Sequence, residues 1–406
     1  MNRGSAADVL VLGMGYRPYK LDAKTVAMST KYLEVLTEFG TRWPGEVRYQ
    51  LETGDTRLVD MEVEISLDDL PLNGFFFDRS QVTEADFPAG AMCLMPLETG
   101  FTNLHKLASD ADLRVIRGSD YPPGIARAVI MLTEDRDLKG KIGGYLYTEK
   151  EKWRQIWEVK HAAGIQSNQF ATYDYYERYA RDRLAFIDTR IRDGEPATAA
   201  DMAARKTRYL AGEPLHLAFS GRLDSMKSPL DIAEIAKSLR DRGVPFKYSI
   251  FGDGPLKDPL EAKLRQYGLR DQVELHGFVD LRQTLLPMMK SELDIFVGNH
   301  RQGDTSTSYP EYMSAGVPVV SYPNPAVKAL KRHFGVTTHA DEIDPISLAA
   351  QIAALHHDRS RLCEIAERDH EWGQHQTIGA AHQQRVDHVL EHRYRYRAAL
   401  ARPASG

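Results

Sequence analysis

Hydrophobic and polar positions alternate most regularly in the second half of the 406-residue chain. Short apolar runs are followed there by segments whose apolar residues recur at helical spacing, and several of these segments end at a glycine. The runs predict strands at residues 215–220, 246–251, 273–275, 293–297 and 317–321. Strands that alternate with helices over short connections form parallel βαβ units. We therefore expect a doubly wound α/β domain, with Ser228 as the cap and Pro229 as the first position of its first helix.

The first half also mixes strand-like and helix-like segments, but its period is less regular. The apolar run at residues 9–12 ends at Gly13 and predicts a buried strand that turns sharply into a loop. Further strands are expected at residues 47–52, 63–65, 91–96, 113–116 and 143–148, and helices at residues 23–39 and 173–187.

Two domains are expected from the chain length and from a break in composition. Residues 196–213 lie in a polar stretch rich in small residues, which is typical of a linker. The predicted division is an N-terminal domain at 1–195, the linker at 196–213, a C-terminal domain at 214–370 and a tail at 371–406. The tail is predicted to be helical because its apolar residues recur at helical spacing, at Val386, Val389, Leu390 and Tyr394.

The composition excludes several classes of protein. With 42% hydrophobic and 27% charged residues, the chain is neither disordered nor fibrous. Its net charge of −5 shows no basic excess, so we expect no nucleic-acid partner. Cys93 and Cys363 are far apart, which fits a reducing compartment and offers no redox spacing. Neither a signal peptide nor a membrane-spanning run is found, so a cytoplasmic protein is expected, while the oligomeric state stays open.

The residues that follow each strand of the second half are the candidates for chemistry, because ligands of parallel α/β sheets bind beyond the carboxyl ends of the strands. Gly221, Arg222 and Lys227 follow the strand at residues 215–220. A glycine that allows a close turn and two cations beside a helix start would suit an anionic diphosphate. The alternative is a solvated loop that happens to carry two basic residues.

Two further loops follow neighbouring strands. The first, Gly252-Asp253-Gly254-Pro255, allows turns that other residues resist, although such a turn is common. The second runs from 303 to 311, and its small hydroxyl residues suit phosphate or sugar hydroxyls. Its last residue lies near the start of the next helix, where a carboxylate either acts on a ligand or only caps the helix. The candidates in this second loop are Asp304, Thr305, Ser306, Thr307 and Glu311.

In the first half, Gly13 and Gly15 form a tight turn after the first strand. Pro18 stands where the third glycine of a dinucleotide-binding motif belongs, so the turn is a weak cofactor signal and a better candidate for the wall of a cleft. His105 and His161 are the two histidines of this half, and either could face such a cleft. No metal-ligand spacing, P-loop or Ser/His/Asp order is present, so neither a metal nor a cofactor is expected.

Taken together, three segments resemble the C-terminal half of the retaining GT-B glycosyltransferases, specifically glycosyltransferase family 4. In order along residues 215–322 they contain GRLDSMKS, FGDGPLKDPLEAKLRQYGLRDQVELHGFVD and LDIFVGNHRQGDTSTSYPEYMSAGVPVVSY. The first half resembles that family only in its general layout. The resemblance implies two Rossmann-like domains that face a cleft, with the last helix returning to the first domain.

The same resemblance implies transfer of a hexose, with retention of configuration, from a UDP- or GDP-linked sugar to a saccharide or lipid-linked acceptor, as in polysaccharide or glycolipid biosynthesis. By position, Arg222 and Lys227 would bind the donor diphosphate and stabilise the leaving nucleotide without a metal. Glu311 would hold the ribose. The donor side would also include Gly221, Gly252, Asp253, Gly254 and residues 276–278, and the acceptor side Gly13, Gly15 and His105.

One position departs from the family pattern, because the first glutamate of the family's paired motif falls on Gly303. Either Asp304 takes its place near the donor hexose, or Thr305, Ser306 and Thr307 bind that sugar. The departure leaves open a non-catalytic sugar-nucleotide-binding protein on the same scaffold. A third hypothesis is an NAD-dependent oxidoreductase, and the missing glycine after Gly15 counts against it.

The tail offers one more alternative. Residues 385–402 carry five arginines against two acidic residues. A basic amphipathic helix of this kind is either an ordinary charged surface or a contact to anionic lipid, which would place the protein peripherally at the inner face of a membrane.

Overall fold

The computed structural model describes residues 9–13, 17–51, 62–70, 73–76, 88, 90–97, 111–132, 137–301, 303 and 306–400. The chain forms two compact units. Unit 1 combines three chain segments, Met1–Pro122, Tyr147–Phe186 and Ile378–Gly406. Unit 2 combines Pro123–Leu146 with Ile187–Thr377.

Unit 1 is built on a parallel sheet whose strands follow the order β10-β9-β8-β7-β1-β4-β6. These strands are β1 Val9–Gly13, β4 Glu46–Leu51, β6 Asn73–Phe76, β7 Met92–Pro96, β8 Val115–Ser119, β9 Gly164–Asn168 and β10 Arg183–Phe186. A small antiparallel sheet stands beside it, with β2 Tyr19–Lys20, β3 Thr25–Ser29 and β5 Glu62–Ser66. The helices of this unit are α1 Thr30–Arg42, α2 Ala111–Arg114, the larger part of α4 Leu138–Lys160, α5 Phe170–Tyr175 and α14 Ile378–Leu400.

The last helix returns to unit 1, as the GT-B resemblance implies. Val386 and Val389 of α14 are fully buried in the same apolar core as Phe39 of α1 and Leu10 and Ile116 of the sheet. Burying side chains of this size stabilises a fold by about 1.5–3 kcal/mol each. The helix therefore contributes to the core of unit 1 and is not a loose tail.

Three predictions for the first half are wrong. Residues 23–39 are not one helix, because Thr25–Ser29 pairs with Glu62–Ser66 as a strand before α1 begins. Residues 143–148 are not a strand, because they lie inside the long helix α4, Leu138–Lys160. Residues 173–187 are not one helix either, since α5 ends at Tyr175 and β10 begins at Arg183.

Unit 2 contains a second parallel sheet, in the order β13-β12-β11-β14-β15-β16. Its strands are β11 Leu215–Ser220, β12 Phe246–Phe251, β13 Val273–Gly277, β14 Ile295–Gly298, β15 Val319–Ser321 and β16 Thr338–His339. The first three strands extend the sheet in one direction from β11, and the next three extend it in the other. The order therefore reverses between β11 and β14, and in such sheets ligands bind beyond the carboxyl ends of the strands at this point.

The four central strands of this sheet, β11, β12, β14 and β15, are largely buried. The helices of unit 2 are α3 Pro123–Leu132, α6 Ala199–Leu210, α7 Asp231–Asp241, α8 Lys257–Gln266, α9 Leu286–Ser291, α10 Ser308–Ser314, α11 Pro325–Phe334, α12 Pro345–His357 and α13 Arg359–Gly373, with α4 beginning in this unit and a π-helix at Leu281–Leu285. Leu217, Phe219 and Ile250 of the strands pack with Ile235 and Leu348 of the helices in one core.

Residues 196–213, which the sequence suggests as a linker, contain helix α6. Thr198 and Asp201 form a capping box at its start. Arg205 is buried within it and donates to the carbonyl oxygens of Leu293, Met289 (2.5 Å) and Ala315 (3.2 Å). A cation that satisfies carbonyl groups at the ends of two neighbouring helices ties the segment firmly into unit 2.

In the part of the chain that the structure describes, no helix combines the length and the apolar character needed to cross a membrane.

Candidate functional site

The loops that follow β11 and β14 meet at the point where the strand order reverses. Asn299, directly after β14, is buried and donates through Nδ2 to the carbonyl oxygens of Lys227 (3.1 Å) and Ser228 (2.8 Å). Ser220, the last residue of β11, lies with its Oγ 3.2 Å from Oγ of Ser308 at the start of α10. These contacts bring two of the loops singled out in the sequence to one place.

The loop after β12 joins the same place through its glycines. The backbone N–H of Gly221 donates to the carbonyl of Phe251 (3.0 Å), and that of Leu223 donates to the carbonyl of Asp253 (2.9 Å). A Cβ atom at Gly252 would lie 2.0 Å from the carbonyl oxygen of Gly221, and one at Gly254 would lie 2.6 Å from that of Leu223. Both positions also have a positive φ, of 131° and 158°. Only glycine allows the two loops to approach so closely.

Replacing Gly252 by alanine is expected to unfold or distort this corner of unit 2, with a loss of more than about 3 kcal/mol in the free energy of unfolding, because backbone strain adds to the steric clash. Gly268→Ala is the matched control, since Gly268 also has a positive φ (65°) but no atom lies within 4 Å of its Cβ position. Chemical denaturation measures both. Equal losses in the two variants would contradict the role of the close approach.

The two cations of the first loop stand on a fixed backbone. Asp224 accepts hydrogen bonds from the backbone N–H groups of Met226 (3.0 Å) and Lys227 (3.3 Å) and so caps the 3-10 turn Ser225–Lys227. The side chain of Arg222 is 67% exposed, with Nε 3.3 Å from the carboxylate of Asp224. An exposed guanidinium beside a rigid turn can reach an anionic ligand at low cost in entropy.

The helix after this turn begins later than the sequence predicts. Ser228 has a left-handed φ of 48° and closes the turn, and α7 starts at Asp231. The expected N-cap at Ser228 and helix start at Pro229 are therefore wrong. The left-handed residue redirects the chain so that the turn ends immediately after Lys227.

Helix α3 lies against the turn Ser225–Lys227. Its residues, Pro123–Leu132, come from the half of the chain that the sequence assigns to the first domain, yet they belong to unit 2. No periodicity in the sequence indicates this placement, because it depends on a packing contact between segments about a hundred residues apart.

Glu311 is completely buried and forms a bidentate ion pair with Arg190. Its two carboxylate oxygens lie 2.7 Å from Nε and 2.8 Å from an Nη atom of the guanidinium, whose side chain is 36% exposed. Parallel hydrogen bonds of this kind hold both groups in one plane. Arg190 is in turn positioned by Arg282, which donates to the Arg190 carbonyl (2.8 Å) and to Glu195 (2.8 Å).

Sequence reasoning missed Arg190. It lies in a polar segment before α6, and nothing in its spacing distinguishes it from other surface arginines. The only available signal is that a carboxylate predicted to be at the start of a buried helix needs a cationic partner.

Close packing against Pro325 accounts for the glycine at position 303, in the loop before α10. Gly303 is buried, and a Cβ there would lie 2.8 Å from two side-chain atoms of Pro325, at the start of α11. A glutamate at this position would require that helix start to move. Ser306 is buried and Thr307 precedes α10, whereas Asp304 and Thr305 lie outside the described residues.

Around the β12 turn, Asp253 is exposed, and its pKa is lowered because the carboxylate accepts from the N–H of Gly254 and pairs with Lys257. The ring of His276 stacks on Phe251 at 4.7 Å, and its Nε2 lies 3.0 Å from Oγ of Ser249. Phe278, two residues on, is largely exposed. This edge of the loops therefore offers an aromatic surface next to the polar one.

The acceptor-side candidates lie elsewhere. Gly13 ends β1 in unit 1, where a Cβ would lie 2.6 Å from the sulfur of Met95. His161 follows α4, with Nδ1 2.7 Å from the carbonyl oxygen of Trp157. Gly15 and His105 lie outside the described residues, so the structure does not place them.

Comparison with known families places the candidate site in a recognised segment. Residues 203–375 match the family model described as Glycosyl transferases group 1. The matched segment contains the loops after β11, β12 and β14 together with α10, and thus holds all the donor-side candidates.

Two curated relatives cover part of the chain. This chain is 27% identical to the 2-deoxystreptamine glucosyltransferase of Streptomyces kanamyceticus over 172 residues. The aligned residues cover 41% of this chain and 44% of that enzyme. The chain is 28% identical over 169 residues to the putative colanic acid biosynthesis glycosyltransferase WcaL of Escherichia coli, 40% of this chain and 41% of that one. The chain therefore matches about two fifths of the length of these relatives.

Solved structures are similar over nearly the whole chain. Sucrose-phosphate synthase of Thermosynechococcus elongatus has a TM-score of 0.63 at 12% identity, over 97% of this chain and 100% of that one. WaaG, a glycosyltransferase involved in lipopolysaccharide biosynthesis, has a TM-score of 0.58 at 12% identity, over 94% and 99%. HepE of Anabaena, solved in complex with UDP, has a TM-score of 0.58 at 11% identity, over 94% and 99%. The predicted GT-B fold, with two parallel-sheet α/β domains, is thereby confirmed.

Proposed function

We propose that this chain, whose residues 203–375 match the group 1 glycosyl transferases, moves a hexose from a nucleotide-diphospho-sugar to a saccharide or lipid-linked acceptor with retention of configuration. One observation carries the proposal. The cationic turn ending at Lys227, the glycine turn at Gly252 and the loop before Glu311 converge where the strand order of unit 2 reverses. That is the place where this class of sheet binds nucleotides.

The chemistry follows from the charges of the loops. As the bond between the anomeric carbon and the phosphate oxygen breaks, negative charge grows on the leaving diphosphate, and Arg222 and Lys227 would stabilise it. The acceptor hydroxyl forms the new bond from the same face and gives its proton to the departing phosphate oxygen. No carboxylate pair of the glycosidase type is needed. We therefore assign no protein general base.

The nucleotide would lie between the polar and aromatic edges of the site. Glu311 would meet the ribose hydroxyls with the lone pairs that Arg190 leaves available. Gly221, Asp253 and Gly254 would pass close to the donor, and the exposed ring of Phe278 would border the base. HepE binds UDP on the same fold, which supports a UDP-linked donor as the first to be tested.

Different parts of the chain would meet the donor hexose and the acceptor. With glycine at 303, the sugar would meet Asp304 or the hydroxyls of Thr305, Ser306 and Thr307. The acceptor would be met by unit 1, with Gly13, Gly15 and His105 as candidates. The names of WcaL and WaaG support a role in polysaccharide or glycolipid biosynthesis. We further propose that the protein acts at the cytoplasmic side, in peripheral contact with a membrane if the acceptor is lipid-linked.

A donor panel tests the function. Thermal shift and donor turnover are measured with UDP-, GDP- and ADP-sugars and with NAD(H), and we expect stabilisation and turnover with a UDP- or GDP-sugar. Stabilisation by NAD(H) alone would overturn the proposal. Binding of sugar nucleotides without turnover, in the presence of a panel of saccharide and lipid-linked acceptors, would favour the non-catalytic alternative, for which Gly303 is the supporting feature.

A further inference from the structure

Two histidines and a carboxylate converge in unit 1, and they belong to the second and third of the three segments that build this unit. His388 and His392 are four residues apart on α14 and therefore project from the same side of the helix. Asp182 directly precedes β10, next to β9 in the sheet. The three side chains each offer one ligand atom, and these atoms all lie within 4.8 Å of one another.

The histidine nitrogens point at the carboxylate without a well-formed hydrogen bond. Nε2 of His392 lies 3.3 Å from one oxygen of Asp182, and Nε2 of His388 lies 4.0 Å from the other. Both imidazoles are more than nine-tenths buried, and within the described part of the chain neither Nε2 atom has a hydrogen-bond partner. Buried polar atoms in native proteins are normally satisfied, and one cation bound between these two nitrogens and the carboxylate would satisfy both.

The neighbouring strand leaves room for these rings. A Cβ at Gly164, the first residue of β9, would lie 3.0 Å from Nε2 of His392 and 3.3 Å from Cε1 of His388. Gln166, two residues on, lies with Nε2 3.4 Å from Nδ1 of His388 and is itself held by Arg385 at 2.9 Å. The strand therefore provides space for the Nε2 atoms on one side and fixes the orientation of a ring on the other.

We propose that Asp182, His388 and His392 bind a divalent transition-metal ion such as Zn²⁺. Two imidazoles and one carboxylate form a common ligand set for zinc, with water completing the tetrahedron. Metal–ligand bonds of about 2.0–2.1 Å hold ligand atoms about 3.3–3.4 Å apart, so these atoms, which now lie within 4.8 Å of one another, would move closer together on binding.

Arg395 is the competitor for this site. Its Nη1 lies 2.6 Å from an oxygen of Asp182, and its side chain is 60% exposed and also lies 3.6 Å from Glu391. A bound cation would displace the guanidinium, which can turn into solvent or remain with Glu391. Removing Arg395 is therefore expected to tighten metal binding, because the metal ion then no longer has to displace a guanidinium group from the carboxylate of Asp182.

The site would link α14 to the residue that directly precedes β10 of unit 1. An ion that binds only the folded chain raises its stability in proportion to the logarithm of its free concentration. The inference concerns unit 1 alone and is independent of the proposed glycosyl transfer.

The test is calorimetric titration of the full-length, chelator-treated protein with Zn²⁺, together with thermal unfolding and the visible absorption of Co²⁺ bound in place of zinc. We expect one ion per chain, a higher melting temperature and the absorption bands of a tetrahedral cobalt site. The His388→Ala/His392→Ala variant should bind at least about 100-fold more weakly, since even supporting residues of metal sites contribute 10- to 100-fold. His375→Ala, at an exposed histidine, is the matched control and should bind normally.

Two further variants keep the test decisive if the double variant folds poorly. Arg395→Ala changes an exposed side chain and should bind Zn²⁺ about tenfold more tightly, by loss of a competing interaction. Gly164→Ala leaves all three ligands in place but fills the space beside them, and should weaken binding. Absence of stoichiometric binding to the unaltered chain overturns the proposal, as does binding that neither Arg395→Ala nor Gly164→Ala changes.

Discussion

Under the proposed function, replacing Lys227 by alanine should lower the rate of hexose transfer at least about tenfold, which corresponds to a loss of about 1.4 kcal/mol of transition-state stabilisation. The reason is that the ammonium group follows a turn held by Asp224 and Asn299 and would face the leaving diphosphate. Because charge on that group grows only as the glycosidic bond breaks, kcat should fall more than KM rises. Initial rates over a range of donor concentrations separate the two parameters.

The matched control for this variant is Lys237→Ala. Lys237 lies on α7 and pairs with Asp241 at 2.6 Å, so the control removes a lysine of similar exposure from outside the site. Its kinetics should equal those of the unaltered chain. If Lys227→Ala also retains its kcat, Lys227 does not act on the leaving group, and the assignment of the site fails at its central residue.

Replacing Arg190 by alanine should lower the free energy of unfolding by about 3 kcal/mol, because it leaves the carboxylate of Glu311 buried without a countercharge. The unequal burial of the two side chains determines the direction and the size of this change in the free energy of unfolding. Glu311 is completely buried, whereas the side chain of Arg190 is 36% exposed. If Glu311 were lost, water could solvate the guanidinium of Arg190. If Arg190 is lost, water cannot reach the carboxylate of Glu311. Denaturant unfolding measures the loss.

Two comparisons separate this effect from a general one. Lys206→Ala removes an ion pair with Glu367 whose partners are both about half exposed, and it should change the stability by no more than about 0.5 kcal/mol. Adding Glu311→Gln to Arg190→Ala removes the stranded charge and should recover part of the loss. A loss in Arg190→Ala as small as that in Lys206→Ala would show that the buried pair does not stabilise unit 2.

The second half could be predicted from the sequence because its local signals agree. Each apolar run there contributes to a parallel strand, and the predicted Leu215–Ser220 and Phe246–Phe251 match the structure residue for residue. The glycines at 252 and 254 are identifiable as turns, although their closeness to the preceding loop is visible only in three dimensions. Local chemistry therefore determines where the loops are, and packing determines what they touch.

The first half could be predicted only in part, for physical reasons. Residues 25–29 have a pattern that fits both a strand and a helix start, and the pairing with the distant β5 decides between them. The helix at Leu138–Lys160 has large apolar side chains exposed to solvent, so its sequence lacks the single apolar face that marks a helix. The Arg190–Glu311 pair and the packing of α3 against the Lys227 turn depend on residues about a hundred positions apart, which no local pattern can relate.

Position 303, where the paired-glutamate motif of the resembled family has a glutamate, is occupied by a glycine in this chain. The resemblance to glycosyltransferase family 4 implies a glutamate at position 303, and the structure adds that Pro325 occupies the space which that side chain would need. The glycine is thus part of a changed local packing and not an isolated substitution. Restoring the glutamate would require a second change at position 325.

The order in which the two units can be completed during synthesis follows from the return of α14. Unit 1 needs Val386 and Val389 in its core, so it stays incomplete until almost the whole described chain has left the ribosome. Unit 2 ends at Thr377 and has all its strands available earlier. Domains of growing chains usually fold from the N-terminus onward. In this molecule, unit 2 can fold before unit 1 is complete. The sheet of unit 1 keeps an apolar face exposed until α14 packs against it.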